Sequence, residues 1–310
     1  DSLQIVQTDS LRPSRRTPSG RPDGLPPVAG LRGGGEDIKT LPKRPENRVI
    51  NYHVKHMVKC VTNSHYFYHI VVLEKISKSY EAQPVLQDIS FKVNKGETLC
   101  LIGPSGSGKS TLLKLINGLE MPDSGTVTVF GEDLKTVDRV AFRRKIGFVL
   151  QQPALFPHYT AEENIEIVPK LLKWEANKRH QRSKELLELM GLPARDFAGR
   201  YPSELSGGQQ QRIGIARALA ANPKLILFDE PFSALDPITR ADLQEEVVRL
   251  KEKLHKTAVF VTHDMREAFL LGDVVVILNE GKVAQIGSPE EIEANPKNEF
   301  VERFIETKNG

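Results

Sequence analysis

The chain is short of cysteine, of long apolar runs and of charge of one sign, and each shortage excludes a class of protein. Two cysteines in 310 residues, Cys60 and Cys100, cannot build a disulfide framework and fit a reducing compartment. Cys100 sits inside "ETLCLIG", where it reads as a small buried apolar residue. No apolar stretch nears the roughly 18 residues that a membrane-spanning helix needs. The N-terminal segment also lacks the continuous apolar core of a signal peptide. Lys and Arg number 43 against 40 Asp and Glu, a net charge of only +3. That balance excludes a dedicated polyanion binder and an acidic-tail protein.

What is present changes character near residue 70. The stretch "RPSRRTPSGRPDGLPPVAGLRGGGED" is rich in Pro, Gly and Arg and has no apolar period. It cannot bury enough surface to offset its chain entropy. Residues 1–69 are therefore expected to be a disordered or non-native basic tail. Over residues 1–70, 11 Lys/Arg stand against 6 Asp/Glu, which leaves about −2 for the remainder. The basic balance belongs to the tail, and no nucleic-acid partner is expected for the main domain. His53, His56, His65 and His69 lie around Cys60, but their spacing matches no tetrahedral ligand pattern.

Beyond the tail, "IVVLEKISKSY" and "ISFKVNKGETLCLIG" have the texture of strands. The second run ends in "GPSGSGKST" and passes into "LLKLINGL", which has helical spacing. Strand, glycine loop and helix together are the setting that a phosphate-binding loop requires. Gly103, Pro104, Ser105, Gly106, Ser107, Gly108, Lys109, Ser110 and Thr111 form it. The glycines let backbone N–H groups approach phosphate oxygens, and the helix directs its positive end at them. Lys109 is expected to reach the β- and γ-phosphates, and the Ser110 hydroxyl to ligate Mg²⁺.

"KLILFDEP" is a short apolar strand ending in two acids. Asp229 is expected at the carboxyl edge of a sheet, holding the Mg²⁺ shell. Glu230 is expected to orient or deprotonate the attacking water, with capping of the next segment as its structural alternative. His263 follows the strand "TAVFVT" and can hydrogen-bond a γ-phosphate and Glu230. Gln151 or Gln152, at another strand end, can offer an amide oxygen to Mg²⁺ and water, and spacing does not choose between them. Gln151 joins Ser110 and Asp229 as the expected metal ligands, and Lys109, Glu230, His263 and Gln151 form the expected catalytic set.

A second glycine-rich turn, "LSGGQQQR", leads into another amphipathic helix. Ser206, Gly207, Gly208 and Gln209 have the makings of a second anion site. One nucleotide needs one cradle, so the second site is expected to close on the same ATP from another copy of the chain, head to tail.

With these residues together, the chain resembles the ATP-binding subunits of ABC transporters. "LSGGQ" at 205–209 is similar to the family signature, and "SALD" at 233–236, ending in Asp236, to its partner-touching loop. Tyr80 looks like the aromatic that stacks on adenine, with strand-end packing as the alternative. The resemblance covers about residues 70–310. It implies an α/β P-loop ATPase core with an N-terminal antiparallel β subdomain and a helical subdomain at about 152–215. It also implies ATP and Mg²⁺ as cofactors, and a homodimer on the cytoplasmic face of the membrane. Permease subunits are the expected direct partners, and an extracytoplasmic substrate-binding protein an indirect one. In "PALFPHYTAEENI", Leu155, Phe156 and Tyr159 are a dock for the permease or, alternatively, internal packing.

"IGFVLQQPALFPHYTAEENIEIVPKLLKW" and "DEPFSALDPITR" are similar to the ATPases of glycine betaine, choline and carnitine uptake. That subfamily often appends C-terminal regulatory domains, which are expected to be absent from a chain stopping at Gly310. No residue of an ATPase subunit touches cargo, so an osmoprotectant cargo rests on this resemblance alone. Amino-acid, phosphate or lipid import and a soluble ABC ATPase are the alternatives.

Overall fold

The computed structural model describes residues 69–306. The expectations for the tail therefore fall outside the described residues, except at His69, whose Nδ1 lies 2.7 Å from Asn94 Oδ1.

β1 (His69–Tyr80) and β2 (Gln83–Asn94) form an antiparallel hairpin. The run "ISFKVNKGETLCLIG" then divides, because the backbone turns at Gly96, φ 80°, before β3 (Thr98–Ile102). α1 (Lys109–Ile116) follows, then β4 (Ser124–Val129), β5 (Glu132–Asp133), α2 (Arg139–Arg143) and β6 (Ile146–Val149). Next come α3 (Ala161–Leu171), α4 (Ala176–Leu189) and α5 (Ala194–Phe197). After a 3₁₀ turn at Pro202–Glu204 the chain enters α6 (Gly207–Leu219), β7 (Leu225–Asp229), α7 (Pro237–Leu254) and β8 (Thr257–Thr262). It closes with α8 (Met265–Leu271), β9 (Val274–Asn279), β10 (Lys282–Gly287), α9 (Pro289–Ala294) and α10 (Glu299–Glu306). No helix among the described residues is long and apolar enough to cross a membrane.

Two sheets result. A four-stranded antiparallel sheet has the order β2-β1-β4-β5. A six-stranded sheet has the order β10-β9-β3-β8-β7-β6 and is parallel except for the edge strand β10. Its central strands are mostly apolar because both of their faces are covered. β3 and β8 are buried at every position.

The two-residue period of the strands sorts the core into two layers. Cys100, Ile102, Ile226, Phe228, Ala258 and Phe260 point into one layer, shared with the helices from α3 onward. Leu99, Leu101, Leu225, Leu227, Val259 and Val261 point into the other, packed on α1 and the antiparallel sheet. Each fully buried aliphatic or aromatic side chain contributes about 1.5–3 kcal/mol. A one-residue slip of any central strand would exchange the layers, so register is firmly specified.

Register fixes the place of function. Ile102 pairs with Thr262, and Asp229 with Val261. The chain therefore leaves β3, β7 and β8 side by side at one edge. These are carboxyl ends of parallel strands, where open α/β sheets gather ligands.

Candidate ATP-binding and hydrolysis site

The loop over 103–111 is shaped by close backbone contacts. A Cβ on Gly103 would stand 2.2 Å from the Leu278 carbonyl oxygen, so only glycine fits. Gly108 holds φ 98°, and a Cβ there would meet Leu86 at 2.5 Å. α1 starts directly after it with no side-chain cap and no acid in its first turn. Its first N–H groups are thus left for an anion.

Lys109 is buried at 6% exposure and curls over the loop, its Nζ donating to the Gly103 and Pro104 carbonyls at 2.7 and 2.9 Å. Burial pulls its pKa down, against the opposing pull of Glu230 and Asp229. The Ser107 hydroxyl is buried without a hydrogen-bond partner in the loop. Pro104, Ser105, Gly106 and Ser110 are exposed around this cradle.

β7 delivers the acids. Ser110 Oγ donates to Asp229 Oδ1 at 3.3 Å, across the gap between α1 and β7. Burial pushes the Asp229 carboxyl up, while Ser110 opposes the shift and Glu230 adds to it. A hydroxyl and a half-buried carboxylate form an all-oxygen donor pair that suits a hard divalent cation.

Glu230 follows at φ 45°, a left-handed conformation that strains a non-glycine residue by about 1–3 kcal/mol. Its N–H donates to the Val261 carbonyl at 3.0 Å. Ser233 N–H and Oγ both donate to the Glu230 carbonyl, at 3.3 and 2.9 Å. So held, its Oε2 lies 3.0 Å from His263 Nδ1. The expected members Lys109, Ser110, Asp229, Glu230 and His263 therefore converge at one edge.

Other expected residues stand apart. Tyr80 ends β1, 37% exposed, with the Lys78 ammonium 5.4 Å from its ring centre. Gln151 and Gln152 are both exposed, and neither makes a hydrogen bond among the described residues. Ser206 is the N-cap of α6, accepting from Gln209 N–H at 3.3 Å, while Gln209 Oε1 accepts from Ser206 N–H at 3.0 Å. Asp236 is the N-cap of α7 and accepts from Thr239 N–H at 3.1 Å. The two helix starts touch, because a Cβ on Gly208 would lie 2.3 Å from Thr239 Cγ2. Among the described residues, no hydrogen bond or ion pair joins Ser206, Gly207, Gly208, Gln209 or Asp236 to the loop over 103–111.

Several polar residues that sequence reading passed over hold the segment after β6. Gln211 is 1% exposed and donates to the Leu150 carbonyl at 3.1 Å. Arg217 donates to the Pro153 and Ala154 carbonyls at 2.6 and 2.9 Å. Asn164 is 0% exposed; it accepts from Phe156 N–H at 2.8 Å and donates to the Phe156, Tyr159 and Thr160 carbonyls. The signal was there: Gln211 and Asn164 occupy core-facing positions on otherwise amphipathic helices, where an amide needs a partner. Phe156 stands 44% exposed on the segment thus clamped, while Leu155 and Tyr159 are half-buried.

Comparison with known proteins gives the family. The family described as ABC transporter matches residues 86–233. A glycine betaine/carnitine/choline transport ATP-binding protein of Bacillus subtilis, OpuCA, is 55% identical over 75% of this chain and 61% of its own length. A glycine betaine uptake system ATP-binding protein of Escherichia coli, YehX, is 43% identical over 76% of each chain. A dimeric ATP-binding cassette solved in a post-hydrolysis state with ADP and Pi superposes with a TM-score of 0.64 at 38% identity, covering 71% of this chain and 98% of that one. The chain spans about three fifths of the length of curated osmoprotectant-transport relatives such as OpuBA and OpuCA. With the phosphate loop, the paired acids and the signature turn in place on this fold, the chain belongs to the ABC transporter ATP-binding family.

Proposed function

We propose that the chain is the ATP-hydrolysing subunit of a multi-chain ABC importer that takes up a quaternary-amine osmoprotectant such as glycine betaine, choline or carnitine. The contact that carries the ATPase reading is Glu230 Oε2 to His263 Nδ1 at 3.0 Å, beside the cradle of Lys109. A carboxylate oriented by an imidazole can accept a proton from a water aimed at a γ-phosphate. In the same reading Lys109 leaves the loop carbonyls and donates to the phosphates, and the α1 N-terminus supplies N–H groups to them. Ser110 and Asp229 would hold Mg²⁺, with Gln151 or Gln152 offering an amide oxygen, and the ion would neutralise phosphate charge. Tyr80 would stack on adenine.

The trans half of the site is Ser206, Gly207, Gly208 and Gln209 with Asp236, presented by a second copy. The absence of any bond between these groups and the loop over 103–111 supports that reading, as does the dimeric state of the solved cassette. Dimer closure on ATP would move the helices of about 152–215, the helical subdomain, against a permease at the cytoplasmic membrane face. Phe156, exposed on a segment clamped by Asn164 and Arg217, fits a permanent hold on a partner helix. The cargo reading rests on similarity to the named choline, carnitine and glycine betaine proteins.

Labelled glycine betaine uptake tests this reading in cells at low and high osmolarity. A deletion strain would be compared with one complemented by Lys109→Ala, with phosphate uptake as control. Loss of betaine uptake alone, unrescued by the variant, is expected. Unchanged betaine uptake would overturn the cargo and leave the ATPase chemistry standing.

A further inference from the structure

A carboxyl group lies buried behind the site where no step of the proposed chemistry uses it. Glu267, in α8, is 6% exposed. One of its oxygens accepts a short hydrogen bond from Thr262 Oγ1. The other accepts from Gln244 Nε2 at 2.9 Å. An acid in such a place is disfavoured against an apolar residue unless its geometry matters.

Each bond leads to a different part of the site. Thr262 immediately precedes His263, and its Oγ1 also accepts from the Asp264 N–H at 3.0 Å. The residues on both sides of His263 are thus fastened to one hydroxyl, and that hydroxyl to Glu267. Gln244 belongs to α7, the helix capped by Asp236. From the same helix, Arg240 donates to the Leu235 carbonyl at 3.2 Å, directly before Asp236, and its charge also acts on Glu267. Asp264 is the other charged group that acts on Glu267.

We propose that Glu267 is a positioning residue that couples the His263–Glu230 contact to the loop ending at Asp236. The inference rests on the ATPase reading for its consequence, though not for its geometry. An α-helix moves as a unit over the two turns from Asp236 to Gln244. A shift of the 233–236 loop on meeting a second copy would therefore reach Thr262 through Gln244 and Glu267. The 3.0 Å contact of His263 with Glu230 would thus be shifted when the partner is present.

The test uses Glu267→Leu, Gln244→Leu and the conservative Glu267→Gln in the full chain, with folding checked by circular dichroism. The first readout is the His263 ring nitrogens by ¹⁵N NMR, assigned by their loss in His263→Ala. Both leucine variants are expected to displace these signals, and Glu267→Gln to leave them near the wild-type position. The second readout is steady-state ATP hydrolysis. In the leucine variants kcat falls roughly 10- to 100-fold while KM for ATP holds, and Glu267→Gln recovers most of the loss. Unmoved His263 signals in both leucine variants overturn the coupling, as does a Glu267→Gln protein as impaired as Glu267→Leu. A wild type that hydrolyses no ATP defeats the ATPase reading instead, and the ring signals still decide the coupling.

Discussion

Two glycine-rich turns lead into helices in this chain, and they are satisfied in opposite ways. α1 opens after Gly108 with no side-chain cap, so its first N–H groups await an anion. α6 opens after Ser206 with a reciprocal capping box, so its hydroxyl and the Ser206 and Gln209 N–H groups already have partners within the chain. The first turn lies against Asp229 and, through the sheet edge, Glu230 and His263. The second lies against Thr239 at the start of α7. The lesson is a division of labour. In the proposed function, one turn is a cradle whose catalytic groups come from its own subunit. The other is self-capped, and in the proposed function it meets the nucleotide only from a second copy.

Breaking the cradle has the largest expected effect. Lys109→Ala removes the one ammonium inside the loop and lowers ATP turnover by roughly 10²–10³-fold, read by phosphate release. Breaking the second turn without unfolding it comes next. Ser206→Asp keeps a good N-cap, so thermal stability stays within about 0.5 kcal/mol of wild type. It also sets a negative charge against the partner's nucleotide, a repulsion of about 2.8 kcal/mol at ~6 Å and an effective dielectric constant of ~20. Turnover is expected to fall roughly 100-fold while a single subunit still binds ATP. Removing the cap alone sharpens the contrast: Ser206→Ala costs about 1 kcal/mol, read as a fall of about 2–4 °C in Tm.

The smallest effect concerns pH. Burial raises the Glu267 carboxyl above its ordinary value of 4.5, and the Thr262 and Gln244 hydrogen bonds oppose that shift. Just above pH 4.5 the folded chain therefore keeps a proton that the unfolded chain has lost. Stability from this group decreases as pH rises through that window, so the penalty is fully present above the raised pKa. Glu267→Gln removes the titration. The Tm difference, variant minus wild type, is expected to grow as pH rises from 4.5 towards neutrality.

Phosphate chemistry was legible in the sequence because it is local. A loop that cradles phosphate needs its glycines, lysine and serine within nine residues, and Gly103 to Thr111 supply them in order. Asp229 and Glu230 were legible because an apolar strand ending in acids points to a sheet edge. His263 was legible for the same reason, and the structure sets it 3.0 Å from Glu230. Residues that act through distant partners were hidden. Gln211 and Arg217 reach back more than sixty positions to Leu150 and Pro153, and no local pattern announces such a contact. Glu267 reads as an ordinary first-turn acid in α8 until Gln244 is seen beside it. The use of Ser206 and Asp236 as caps was visible in principle, since both residue types favour that position. Likewise "ISFKVNKGETLCLIG" reads as one apolar stretch, yet Gly96 turns it between two different sheets.

The division of labour between the two turns is tested most directly by sedimentation velocity of Glu230→Gln with and without ATP and Mg²⁺. Slowed hydrolysis holds the nucleotide in place, so any site shared by two copies stays closed. A dimer with ATP that returns to monomer without it is the predicted result. A monomer that binds ATP at the Lys109 loop, and stays monomeric, would contradict the shared site.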